Sequence, residues 1–211
     1  MRSQKELKFM YYPMHNKFLI VSVACTLLSA CASIPGWNTS SDTAKSTDKA
    51  KVFAPAGYSN AITASRDGKY DEAIGLFTAI TTSNPDFANA YTNIGLLQIK
   101  KGNAKAADEA FRKALALNEK NAVAYNHLGI LLREQGKFDE AKTMYLSAVK
   151  TNPDYAIAWL NLGILYDLYL QDLPNALIQY NTYQKLTSNQ DKIVEKWIFD
   201  LNKRIQSPNK G

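Results

Sequence analysis

Cysteine and histidine are nearly absent, with two of each in 211 residues. Cys25 and Cys31 both lie near the N-terminus, so nothing after residue 31 offers a thiol for a disulfide, a metal site or a nucleophile. His127 is the only histidine past that point, and the pattern places no orienting carboxylate beside it. There is also no glycine-rich phosphate loop. The sequence therefore names no catalytic residue, no metal ligand and no cofactor, and an enzyme is not expected. Charge of one sign is scarce too. The net charge is +6, of which +3 belongs to residues 1–30, where Arg2, Lys5, Lys8 and Lys17 outweigh Glu6. The remaining basic residues are dispersed, as in Lys100, Lys101 and Lys105 or Lys137 and Lys142. Nucleic-acid binding calls for a clustered basic face, so no nucleic-acid partner is expected. The apolar run Phe18–Leu28, FLIVSVACTLL, falls short of the roughly 20 residues that span a bilayer.

What precedes and follows that run has a direction. Positive charges, a short apolar core and then small residues form the layout of a secretory signal peptide. Leu28-Ser29-Ala30-Cys31 resembles the lipobox of bacterial lipoproteins. The resemblance implies a signal peptide over 1–30 and a mature N-terminus at an acylated Cys31. Each buried methylene of an acyl chain adds about 0.8 kcal/mol, so two or three chains hold a protein on a membrane. By the same resemblance Ala32, rather than aspartate, implies the outer membrane and its periplasmic face. A signal anchor, or a signal peptide that merely contains cysteine, is the alternative, and Met1, Met10 and Met14 are all candidate starts. Residues 31–53 then read as a flexible tether, rich in Ser, Thr, Lys and Asp and poor in core-forming residues. Its root-mean-square span is about 25 Å.

From residue 54 the chain repeats itself. Gly68, Gly102 and Gly136 stand 34 residues apart within DGKYDEA, KGNAKAA and QGKFDEA. FANAYTNIG, NAVAYNHLG and YAIAWLNLG end at Gly95, Gly129 and Gly163 with the same period. A fixed period of this length marks stacked two-helix units. Four units phase as 54–87, 88–121, 122–155 and 156–190. Unit two supplies Tyr91, Ile94, Gly95, Ala107, Phe111 and Ala114; unit three supplies Tyr125, Leu128, Gly129, Ala141, Tyr145, Ala148 and Pro153. Unit four supplies Trp159, Leu162, Gly163, Tyr166, Ala176 and Tyr180, while unit one starts degenerate and recovers at Ala73, Phe77 and Pro85. This pattern resembles the tetratricopeptide repeat, which implies an all-α solenoid of about four helix pairs.

Several local expectations follow. The turn glycines should take positive φ, and Asn84-Pro85 and Asn152-Pro153 should end second helices. The repeated glycines and alanines should let paired backbones approach, with the second-helix Phe or Tyr filling space between neighbouring pairs. Asp71-Glu72, Asp108-Glu109 and Asp139-Glu140 should open second helices. Unit four carries one extra residue before Ala176 and lacks the turn glycine; Pro174 should start its second helix. That shift is read as terminal-repeat geometry, with a local binding feature as the alternative. Residues 191–206 should form an amphipathic cap, with Val194, Trp197, Ile198, Leu201 and Ile205 inward and Lys192, Glu195, Lys196, Asp200, Lys203 and Arg204 outward. A partner-binding helix is the alternative for this segment.

The resemblance also implies a concave groove lined by the first helices, at the second, fifth, sixth, ninth and thirteenth positions of each unit. These place Ile62, Leu96, Ile130 and Ile164 in an aliphatic row, with Asn93, His127 and Asn161 at a polar edge and Asn126 and Leu160 beside them. Either the row takes an apolar protein segment or it is half-buried in the helix stack. The Lys and Arg that clamp a C-terminal carboxylate in one subclass are absent, since Tyr58, Ile62, Asn93, Val123 and His127 occupy those positions. The implied function is a lipid-anchored adaptor for an envelope machine, similar to the tetratricopeptide lipoproteins that assist pilus secretins, organise cell-wall enzymes or serve transport. A self-associating structural solenoid is the alternative. The partners expected are a protein segment and, through Cys31, a membrane.

Overall fold

The computed structural model describes residues 54–207; the expected signal peptide, Cys31 and the tether lie outside them. Eight α-helices form four antiparallel pairs. The first helices are α1 (Tyr58–Arg66), α3 (Ala88–Lys100), α5 (Ala122–Glu134) and α7 (Ala156–Leu165). Their partners are α2 (Tyr70–Ser83), α4 (Ala104–Leu117), α6 (Phe138–Thr151) and α8 (Leu173–Leu186), and a final helix, α9 (Lys192–Gln206), packs on α8. The fold is an α-solenoid with a capping helix.

Local chemistry sets the breaks. Gly68, Gly102 and Gly136 take φ of 75°, 78° and 78°. At each, the glycine N–H donates back three residues and the next N–H donates back five, as in Gly102 to Ile99 O and Asn103 to Gln98 O. This pair of bonds satisfies the carbonyls left open at a helix end, in a conformation only glycine adopts without strain. The second helices of units one to three end at asparagine. Asn84 and Asn152 precede proline and are pushed out of the helical region, with ψ of 74° and 93°. Asn118 does the same without proline, its side-chain oxygen accepting from Lys120 N at 3.0 Å.

The two helices of a pair are locked by a ring against a glycine. A Cβ on Gly95 would stand 2.6 Å from the Phe111 ring, one on Gly129 2.7 Å from Tyr145, and one on Gly163 2.6 Å from Tyr180. All three rings, and Phe77 in unit one opposite Ala61, are fully buried. The second-helix aromatic therefore fills space within its own pair and, as expected, also between neighbouring pairs, since Phe77, Phe111 and Tyr145 share core clusters with the first helix of the following unit. Each buried ring contributes about 2–3 kcal/mol of transfer free energy, and the absent side chain on the facing helix makes room for it. One correction concerns Asp108 and Glu109. They lie in the second turn of α4, whose first turn holds no acidic residue, whereas Asp71-Glu72 and Asp139-Glu140 do open their helices. Asp108 instead accepts two N–H groups of Arg112 at 2.7 and 3.1 Å.

Unit four absorbs its extra residue in the first helix. After α7 the chain runs through one π-helical turn, Tyr166–Leu170, and reverses at Gln171, with φ of 55°. Asp172 then caps α8, accepting from Asn175 N, with Pro174 in the first turn. The π turn buries Asp167 to 5% exposure. Arg204 of α9 donates to it at 2.6 Å, so this arginine is not on the free polar face of the cap. Burial raises the Asp167 pKa, and Arg204 and the Tyr180 hydroxyl pull it back. The other end of α9 is pinned at Asp191. Its side chain caps the helix, its carboxylate accepts from Tyr183 Oη at 2.9 Å, and its backbone exchanges hydrogen bonds with the Gln184 amide.

Two stability predictions follow from these contacts. Gly129→Ala should lower the urea-unfolding free energy by about 1–3 kcal/mol through overpacking, although alanine is the better helix former; a gain in stability would contradict the ring-on-glycine lock. The buried Tyr145 hydroxyl has no hydrogen-bond partner among the described residues, whereas Tyr180 serves Asp167. Tyr145→Phe should thus be neutral or stabilising, and Tyr180→Phe should cost about 1–3 kcal/mol.

Candidate protein-binding groove

The first helices lie side by side, α3 against α5 and α5 against α7. Ile62, Leu96, Ile130 and Ile164 are each half-buried. Each leans on a different core cluster, the four clusters together covering the array. The row thus belongs to the stack on one side and remains accessible on the other. Leu160 is also half-buried, against the cluster shared by α7, α8 and α9.

The polar residues are more committed than the sequence suggested. Asn93 Nδ2 donates to Tyr58 Oη at 3.0 Å and to Asn89 O at 2.8 Å. Asn161 Nδ2 donates to Asn126 Oδ1 at 2.9 Å. In both cases the sixth residue of one unit reaches the fifth residue of the unit before it. These amides tie adjacent first helices together and fix their spacing. Asn126 is only 1% exposed and hydrogen-bonded also to Tyr155, so it presents nothing to a groove ligand. Between unit two and unit three the tie has another form. Asn121 Nδ2 donates to Thr92 Oγ1 at 2.7 Å, while its Oδ1 caps α5 by accepting from Ala124 N. Asn121 escaped the sequence reading, although an asparagine just before a helical segment is a recognisable capping signal.

His127 stacks on Phe111, with ring centres 5.5 Å apart and planes 14° from parallel. Burial and then the Lys100 charge disfavour the imidazolium and bring its pKa down to about 4. It is neutral at pH 7 and acts as a packing plate. Among the described residues no three His, Cys, Asp or Glu side chains gather closely enough to hold a metal ion. At the positions the groove pattern names, Asn89, Arg66, Lys100 and Glu134 are exposed, Val123 and Leu160 are half-buried, and Ile157 is 43% exposed.

The family model of the cilia and flagella-associated protein 70 middle TPR-like domain matches residues 59–185, more than half of the chain. This is a tetratricopeptide-repeat protein. No curated protein matches it. Among solved structures the array is similar to PilF of Pseudomonas aeruginosa, with 25% identity and a TM-score of 0.64 over 72% of this chain and 68% of that one. It is similar to MamA at 19% identity and a TM-score of 0.57, over 71% of this chain and 86% of that one. A third likeness is to a chain of the APC/C hetero-tetramer Cut9-Hcn1, at 23% identity and 0.61, over 71% of this chain and 30% of that one. The last two speak for the fold alone. Tetratricopeptide arrays are protein-interaction scaffolds.

The His127 pKa carries a pH prediction. Its folded value, about 4, lies below the ordinary 6.5. The stability tied to neutral His127 is therefore complete above pH 6.5 and is lost as pH falls toward 4. The urea-unfolding free energy should drop over that window by about 1–3 kcal/mol more in the wild type than in His127→Gln. Equal slopes for the two proteins would contradict the stacked, desolvated histidine.

Proposed function

We propose that this protein is a lipid-anchored periplasmic adaptor that holds an apolar segment of an envelope-machine component close to the outer membrane. The observation that carries the reading is the Ile62–Leu96–Ile130–Ile164 row, one half-buried aliphatic residue on the first helix of each unit. A row of this kind gives a bound segment regularly spaced apolar contacts without requiring a deep pocket. The lipobox-like Leu28–Cys31 supports the anchoring half. The similarity to PilF supports an adaptor of the tetratricopeptide type, and the machine is a pilus, secretion, cell-wall or transport assembly.

Crosslinking in membranes that carry the intact chain, followed by pull-down, tests both halves. An envelope protein should be recovered with the wild type, and Leu96→Lys together with Ile130→Lys should reduce recovery at least about tenfold, as loss of two apolar contacts implies. Ile157→Lys, at an exposed site, gives a milder loss without risk to the fold. Undiminished capture by variants with unchanged circular dichroism would remove the groove from the account. Palmitate labelling should vanish in Cys31→Ala, and labelling that survives would remove the anchor.

A further inference from the structure

The two most exposed large apolar side chains among the described residues, Ile193 and Phe199 at 60% each, are both on α9. The register of that helix explains one of them. Counted from Lys192, Val194 and Leu201 fall at the third and tenth positions and are buried, as Ala124 and Leu131 are in α5. Helix α9 thus sits as the first helix of a further unit. Phe199 then stands at the eighth position, where Gly95, Gly129 and Gly163 receive the ring of a second helix. Even a Cβ at those glycines meets the ring, so a phenylalanine excludes a second helix of that kind. The face of α9 that a partner helix covers in the other units is bare by sequence, not by accident of packing.

That face has a specific composition. Lys192, Lys196, Phe199 and Lys203 fall within an arc of about 60° at 100° per residue, opposite buried Val194 and Leu201. The Lys203 ammonium lies 4.3 Å from the Phe199 ring centre. Two acids flank the stripe, Glu195 on one side and exposed Asp200 on the other, and Lys192 holds Glu195 at 3.0 Å. Lys192, Glu195, Lys196 and Phe199 line one shallow, open surface. Lysines around a projecting aromatic, with an isoleucine alongside in the first turn, match what an anionic headgroup layer accepts: charge on its phosphates and an aromatic ring at its interface. No helix among the described residues is long and apolar enough to cross a membrane, so contact of this kind is peripheral.

We propose that the outer face of α9 is a docking surface for anionic phospholipid membranes. It does not depend on Cys31. Among the described residues the core clusters span 58–205, and the chain from Phe53 onward is a compact unit, so the fragment from Phe53 folds by itself and removes the charged N-terminal segment from the test. The probe is co-sedimentation with phosphatidylcholine vesicles containing about 30% phosphatidylglycerol, against pure phosphatidylcholine, at low and high salt. The fragment should partition selectively to the anionic vesicles and be released by salt. Lys192→Glu/Lys196→Glu/Lys203→Glu should weaken partition by roughly a hundredfold, three basic contacts at a unit charge each, and Phe199→Ser by several-fold. The control Lys105→Glu/Lys113→Glu/Lys150→Glu should bind as the wild type does. A Phe199→Trp probe should shift its emission to the blue on binding. Equal partition of the α9 triple variant and the wild type would overturn the proposal. So would equal weakening by the control triple, absence of binding, or capture of soluble polyglutamate in preference to vesicles.

Discussion

Everything in this array depends on an aromatic ring packed where a side chain is missing. In three pairs the second helix sets Phe111, Tyr145 or Tyr180 against Gly95, Gly129 or Gly163, closer than any Cβ would allow. That contact fixes the spacing within each pair, and hence where the first-helix side chains emerge on the far side. The neighbouring units are then set by the same rings, which pack on the next first helix as Phe111 does on His127, and by more varied polar ties: Asn93 to Tyr58, Asn121 to Thr92 and Asn161 to Asn126. The aliphatic row is a consequence of both. Its regularity needs equal pairs and equal steps between them.

The C-terminal end shows what happens when the regular step is broken. One additional residue in unit four is taken up as a π turn, which places a carboxylate in the interior. A buried charge without partners is costly, and the partners come from two directions, Tyr180 in its own pair and Arg204 in α9. The irregular turn thereby fastens the cap. Phe199 closes the series by occupying a place that the repeat reserves for glycine. The same substitution leaves an aromatic in solvent among lysines, which joins the end of the fold to a surface with chemistry of its own.

Much of this was readable in the sequence because the determinants are local. The 34-residue period, the turn glycines and the asparagine-proline stops act within a few residues of themselves, and the helices begin and end where they indicate. The groove was legible as a set of positions, and Ile62, Leu96, Ile130 and Ile164 do sit alike. Its polar edge was not. Whether Asn93, Asn126, His127 and Asn161 face a ligand or one another depends on the distance between adjacent first helices, which no single unit encodes. The π turn hid for a similar reason: one extra residue can lengthen a loop or widen a helix, and only the burial of Asp167 and its meeting with Arg204 favour the second outcome. Asp108 and Glu109 misled because a likeness of residue type was taken for a likeness of register.

The most direct test of the account is native-state hydrogen exchange on Phe111→Ala. If the ring-on-glycine lock holds each pair together and units communicate with their neighbours, protection should fall most in α3 and α4, less in α2 and α5, and least in α8 and α9. Protection that stays unchanged in α3 and α4, with loss confined to other helices, would contradict it.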